Sequence, residues 1–154
     1  MKILASIFGG RFDKGAVTMD AEQVRDAIRR ALKGKAKGFD WEPSDDLYLC
    51  LTKENYKAMT DYAVRTAGIR WQKGFPDCDD HARIAQGQVL LQAVRSGFDS
   101  APAFFKANVD SNAFGYHARS LAVCADGIVL QFEPQTGKWD GAFFDVSRLR
   151  SIEG

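Results

Sequence analysis

Apolar positions recur at helical spacing in the first part of the chain and alternate or run continuously in the second. Residues 2–8 read as a short strand. The stretch "DAEQVRDAIRRALKG" predicts a first helix: Asp20 stands as N-cap with Gln23 three positions on, and Ala21, Val24, Ile28, Ala31 and Leu32 share one face before Gly34 stops it. A turn-rich "KAKGFDWEPSDD" leads to "LYLCL" (47–51), a buried strand that makes Cys50 a core thiol. A second helix is expected from Thr52 to about Ala67, with Tyr56, Met59, Tyr62 and Ala63 inward and Gly68 as its end signal, followed by a short extended "IRWQ".

A third helix runs from about Asp79 to Arg95 and stops near "SGF". Ala82, Ala85, Gly87 and Ala93 are small, while Ile84, Val89, Leu90, Leu91 and Val94 surround most of its cylinder. That pattern predicts a central helix buried on several sides. Strands are expected over 103–109, 116–124, 127–133 and 141–146, with "ADG" as a hairpin signal between the middle two. Helices first and antiparallel strands later give an α+β class, a central helix packed on an antiparallel sheet.

Composition narrows the picture. The chain has 154 residues, 45% of them hydrophobic, enough for a single domain over 1–154 with its own core. A net charge of +1 creates no field that selects nucleic acid or a membrane surface, and no stretch approaches the roughly 20 apolar residues of a membrane span. The apolar run in "MKILASIFGG" is short for a signal peptide. Three widely spaced cysteines, Cys50, Cys78 and Cys124, fit neither a secreted disulfide framework nor a structural zinc site. Reduced thiols in a cytoplasm follow, the host's cytoplasm if the chain is viral; oligomeric state is not readable.

The candidate chemistry centres on "FPDCDDHARIAQGQVLLQ", residues 75 to 92. Cys78 falls in the first turn of the third helix, where unpaired N–H groups favour an anion and hence a thiolate. Asp77, Asp79 and Asp80 oppose that effect unless they point away, pair with basic groups or hold a cation. His81, three residues on, has little freedom to act as a base, and a solvent-facing or capping role is its simpler reading. His117, opening a strand, is the better partner for Cys78. If the "ADG" loop has three residues, Cys124 pairs with Ile128, His117 lies opposite Gln135, and Glu133 sits opposite Arg119 on the same face. Glu133 and Gln135 are both suited to orient the imidazole, the carboxylate better stabilising an imidazolium. The Cys78 backbone N–H and the Gln72 side chain are candidate oxyanion donors. Taken alone, Cys78 reads as a buried structural thiol and "DCDD" as a solvated helix start.

Over about residues 70–140, "CDDHA", His117-Ala118 and "EPQTG" at Glu133, Pro134 and Gln135 resemble, in order and spacing, the papain-like C-terminal cysteine-peptidase domain of fungal chimeric agglutinins and related small phage proteins. The resemblance implies a papain-like fold and a Cys78–His117–Glu133 triad, hence a cysteine peptidase or related thiol hydrolase cleaving peptide or isopeptide bonds of a protein or peptide substrate. It also implies calcium, for which Asp79 and Asp80 are the candidate ligands. The lectin half of the agglutinins has no counterpart here. The alternatives are an inactive papain-like binding or structural protein, of viral or other origin, and a cell-wall peptide amidase.

Overall fold

A computed structural model describes residues 12, 14–67, 77–141, 143 and 145–154. The strand expected over 2–8, the extended piece over 69–72, Gln72 and the Gly68 stop lie outside them.

Strand β1 (Val17–Asp20) runs straight into helix α1 (Ala21–Leu32). Asp20 ends the one and caps the other: its carboxylate accepts from the Gln23 N–H at 2.8 Å, and the Gln23 side chain accepts from the Asp20 N–H at 2.9 Å. The reciprocal pair satisfies two donors that the helix start would otherwise leave open. Val24, Ala27, Ile28 and Leu32 form the buried stripe. A 3₁₀ turn (Lys33–Ala36) follows, then β2 (Leu47–Cys50), α2 (Lys53–Ala67) and α3 (Cys78–Arg95). The chain closes with β3 (Ala101–Pro102), β4 (Phe104–Ser111), β5 (Gly115–Val123), β6 (Val129–Glu133), β7 (Lys138–Asp140) and β8 (Val146–Glu153).

The strands form two sheets, a three-stranded β1-β2-β3 and a five-stranded β7-β6-β5-β4-β8 that is antiparallel throughout. Ala103 joins them: its N–H donates to Leu49 O, and its carbonyl accepts from the Val123 N–H, both at 2.9 Å. The large sheet is covered on both faces. Phe105, Ala107, Val109, Leu121 and Val123 pack with the α1 stripe, Trp41 and Tyr48, whereas Phe104, Ala122, Leu130 and Phe132 pack with Tyr56, Met59, Ala85 and Val89 of α2 and α3. Adjacent residues thus bury on opposite faces, which is why β4 and β5 read as continuous apolar runs rather than alternating ones.

Several expectations need correction. The expected single antiparallel sheet under a central helix is replaced, among the described residues, by eight strands in two sheets. Helix α3 is not buried on several sides. It lays His81, Ala82, Ala85, Val89, Gln92 and Ala93 against the core and leaves Leu90, Leu91 and Val94 exposed, the last at 73%. Its small residues are what let the helix sit close on β4 and β5.

The strand expected over 141–146 is not found: among the described residues Gly141, Phe143 and Asp145 lie in no strand, since β7 ends at Asp140 and β8 starts at Val146. Strand β8 buries Val146, Leu149 and Ile152, a spacing of three that looks helical. The cause is two register shifts against β4, between Asn108 and Val109 and between Asp110 and Ser111, each of which moves the buried face by one residue. No described helix is long and apolar enough to cross a membrane.

Candidate ligand cleft

The β5–β6 hairpin sets the site. Cys124 N–H donates to Ile128 O and Gly127 N–H to Cys124 O, each at 2.8 Å, so Ala125–Gly127 form a three-residue loop with Gly127 at φ 79°. Ser120 then pairs with Phe132 and Val123 with Val129, and the same register places Arg119 beside Glu133. His117 and Glu133 meet where this ladder runs out: Nε2 lies 2.7 Å from Glu133 Oε2. The other carboxylate oxygen of Glu133 accepts from the Gln135 backbone N–H at 3.2 Å. Nδ1 of His117 has no hydrogen bond among the described residues.

Arg119 lies under this pair, 7% exposed. One terminal nitrogen donates to Gln131 Oε1 at 2.7 Å, the other is bonded to Asp145, and Nε stands 3.6 Å from Glu133 Oε2. The guanidinium is thus the shared counter-ion of two carboxylates, and its hydrogen bond holds the Asp145 carboxyl below the usual range even though burial opposes that. Arg119 Nε and Asp145 Oδ1 are buried without hydrogen-bond partners among the described residues. Around these groups lies a cleft of about 430 Å³. Phe114 forms part of its lining and stands with its ring 5.6 Å from the imidazole; Trp139, Gln135, Thr136, Lys138 and Asp140 line the rest. Trp139 is held by its indole N–H, which donates to Thr60 at 3.1 Å, and by Phe132, 4.9 Å away between ring centroids.

The helix start has a different character. Cys78 is the first residue of α3 and half-buried, is not among the residues lining the cleft, and has no hydrogen bond to His117. The acidic residues beside it have structural partners. Asp77 caps α3 through the Asp79 N–H, and the Asp80 carboxylate returns the bond to the Asp77 N–H, both at 3.1 Å. Asp79 contacts Lys106 Nζ at 2.6 Å and Arg83 at 2.8 Å. Calcium on Asp79 and Asp80 would have to displace those cations and the cap, and among the described residues no cluster of three or more His, Cys, Asp or Glu could hold a metal. His81 is buried, with Nε2 unpartnered, rather than solvent-facing.

Lys106, Arg119, Asp145, Gln131 and Phe114 are not marked as site or cluster residues in the sequence reading. For two of them a signal exists, a charge inside an apolar strand: Lys106 in "FFKANV" and Arg119 in "YHARSLAVC". A buried charge needs partners, and partners mark an organised cluster.

A scan against protein-family models and a search of curated proteins gave no match. Among solved structures the chain is similar to the PSL1a–E64 complex, with a TM-score of 0.74 and 23% identity over 88% of this chain and 50% of that one. It is also similar to Polyporus squamosus lectin bound to the human-type influenza-binding epitope Neu5Acα2-6Galβ1-4GlcNAc, with a TM-score of 0.67 and 23% identity over 88% of this chain and 49% of that one. The chain spans about half the length of those chains, and at this identity the likeness is one of fold.

The comparison overturns the expected papain-like peptidase. It returns a lectin chain, so the class is corrected to the fold of about half of such a chain. The expected hydrolase, its catalytic triad and its protein or peptide substrate are corrected with it, because they were implied by the papain-like fold and the neighbour so named is a lectin. The motif text had pointed to short local segments, which specify side chains more firmly than they specify a family.

Proposed function

We propose that this chain is a binding module, and that its ligand site is the cleft around His117 and Glu133. The observation that carries the reading is a buried ionic network, His117–Glu133–Arg119–Asp145, that opens into a cleft with an aromatic ring exposed at its edge. Small-molecule sites are concave, of roughly 300–1,000 Å³, with apolar walls and a few convergent polar groups. Here the wall is Phe114 and Trp139. The available polar groups are His117 Nδ1 and the Gln135 side-chain amide, neither of which has a hydrogen-bond partner among the described residues. The fold likeness to a lectin chain supports a binding role, and the two neighbours supply two probes.

The test is a ¹H–¹⁵N titration with E64 and, separately, with Neu5Acα2-6Galβ1-4GlcNAc. The expected outcome is saturable shifts at His117, Glu133 and Gln135 with at least one probe, weakened about tenfold or more by His117→Ala. The absence of any shift with either probe at millimolar concentration sinks the reading.

A further inference from the structure

Phe114 is 70% exposed, although nothing about a hairpin tip requires a large apolar residue there. Scattered exposed hydrophobics are ordinary, but the tip that carries this ring is fixed on both sides. Ser111 Oγ accepts from the Ala113 and Phe114 N–H groups at 3.2 and 3.4 Å, a side-chain-closed turn. Gly115, at φ 69°, turns the chain back so that it pairs with Ser111. The Asn112 N–H donates to Asp145 O at 2.7 Å, tying the tip to the residue whose carboxylate holds Arg119. The phenyl ring is therefore carried by the same bonded frame as the polar base of the cleft, in ring contact with His117.

We infer that Phe114 is the specificity-determining contact of the cleft: a pre-positioned platform on which the apolar face of a small ligand stacks while its polar groups reach His117 and Gln135. A ring held in place before binding loses little freedom when the ligand arrives, and an aromatic face accepts the C–H face of a sugar as readily as an alkyl chain. The inference rests on the proposed cleft function and adds to it the residue that selects for a ligand with an apolar face.

The experiment measures binding of E64 and of the sialylated trisaccharide by NMR with the unsubstituted protein, Phe114→Ala and Phe114→Trp. For whichever probe the unsubstituted protein binds, the expected result is a Kd raised about tenfold or more in Phe114→Ala and largely retained in Phe114→Trp. Ligand C–H signals move upfield with Phe or Trp at this position and not with Ala. Because the side chain is largely in water, the melting temperature of Phe114→Ala stays close to that of the unsubstituted protein. Equal affinity in Phe114→Ala overturns the inference and leaves the binding reading intact, whereas no binding of either probe to the unsubstituted protein overturns both.

Discussion

Two buried cations stand on neighbouring strands of the large sheet, Lys106 on β4 and Arg119 on β5, at 1% and 7% exposure. Each is held by two carboxylates. Lys106 meets Asp79 of α3 and Glu153 of β8, at 2.6 and 2.8 Å. Asn108 adds a 2.9 Å bond to Glu153, and Arg83 reaches both acids. Every member of this group comes from a packed helix or strand, and its contacts staple the first turn of α3 and the end of β8 onto β4. Arg119 instead has one acid on a strand end, Glu133, and one just before β8, Asp145. Its own Nε and Asp145 Oδ1 are left without hydrogen bonds among the described residues, and its neighbours open into a cleft. Asn108 Oδ1 in the first cluster is likewise buried without a hydrogen-bond partner among the described residues, so what separates the two is the cleft: Arg119, Glu133 and Asp145 all line it, and Lys106 and Asp79 do not.

The widest contrast between sealed and open surroundings is in the thiols. Burial pushes Cys50 up to about 12, helped by nearby Cys124, and burial pushes Cys124 up to about 12, helped by Asp126 and Glu54. At pH 8 such thiols are ionised to about one part in ten thousand, against about a quarter for an ordinary thiol. Iodoacetamide should therefore stop at one adduct per native molecule, on half-buried Cys78, with Cys50 and Cys124 reacting about a thousandfold more slowly than a free thiol. Peptide mapping after a timed quench checks the order. Early alkylation of Cys50 or Cys124 would mean that the core opens far more readily than its packing implies.

Next in size is the cost of removing each cation. Arg119→Met takes the guanidinium from Asp145 and leaves Glu133 with His117 and the Gln135 N–H, and the two side chains are only 19% and 21% exposed. Lys106→Met leaves Asp79 with Arg83 and Glu153 with Arg83 and Asn108, and at 29% and 46% exposure water relieves both more easily. Unfolding in urea should show a loss of about 3 kcal/mol for Arg119→Met and about 2 kcal/mol for Lys106→Met. Ligand affinity should fall only in Arg119→Met, since Lys106 does not line the cleft. A reversed order of stability, or a ligand effect in Lys106→Met, would break the division between the two clusters.

How much of this was legible follows the range of the interactions. Helix α1 could be read because its cap is local, Asp20 to Gln23, and its stripe keeps the helical period. Glu133 could be set beside Arg119 because a three-residue loop at Gly127 fixes the register for the rest of the hairpin, whereas the same register left Glu133 and Gln135 both open as the partner of His117. Strand β8 could not, since its bulges give Val146, Leu149 and Ile152 a spacing of three. Nor could Lys106 be assigned its partner Glu153, or Arg119 its second acid Asp145, because Glu153 lies 47 positions from the one and Asp145 lies 26 from the other. The outward face of α3 misled for another reason: Leu90, Leu91 and Val94 are as apolar as a core, and composition alone does not say which side of a helix is covered.

The smallest effect is pH dependence, and it separates the clusters by sign. The Arg119 hydrogen bond lowers Asp145, and the Lys106 hydrogen bond lowers Glu153, so both carboxylates stabilise the fold above their unfolded values near 4. That contribution fades as pH falls through the folded values. Lys106 titrates the other way. Burial alone would lower it, but the bonds to Asp79 and Glu153 outweigh burial and raise it. Its contribution is complete below the unfolded value of about 10.4 and is lost as pH rises through the folded one. Asp145→Asn should therefore flatten part of the acid limb of stability against pH and leave the alkaline limb unchanged. Lys106→Met should flatten part of both limbs, because it also frees Glu153. Buried Tyr56, Cys50 and Cys124 lose stability on the alkaline side as well, so the informative quantity is the difference between Lys106→Met and the unsubstituted protein, measured by urea midpoints from pH 3 to pH 11. An alkaline limb identical in the two proteins would show that Lys106 is not held by its acids in solution.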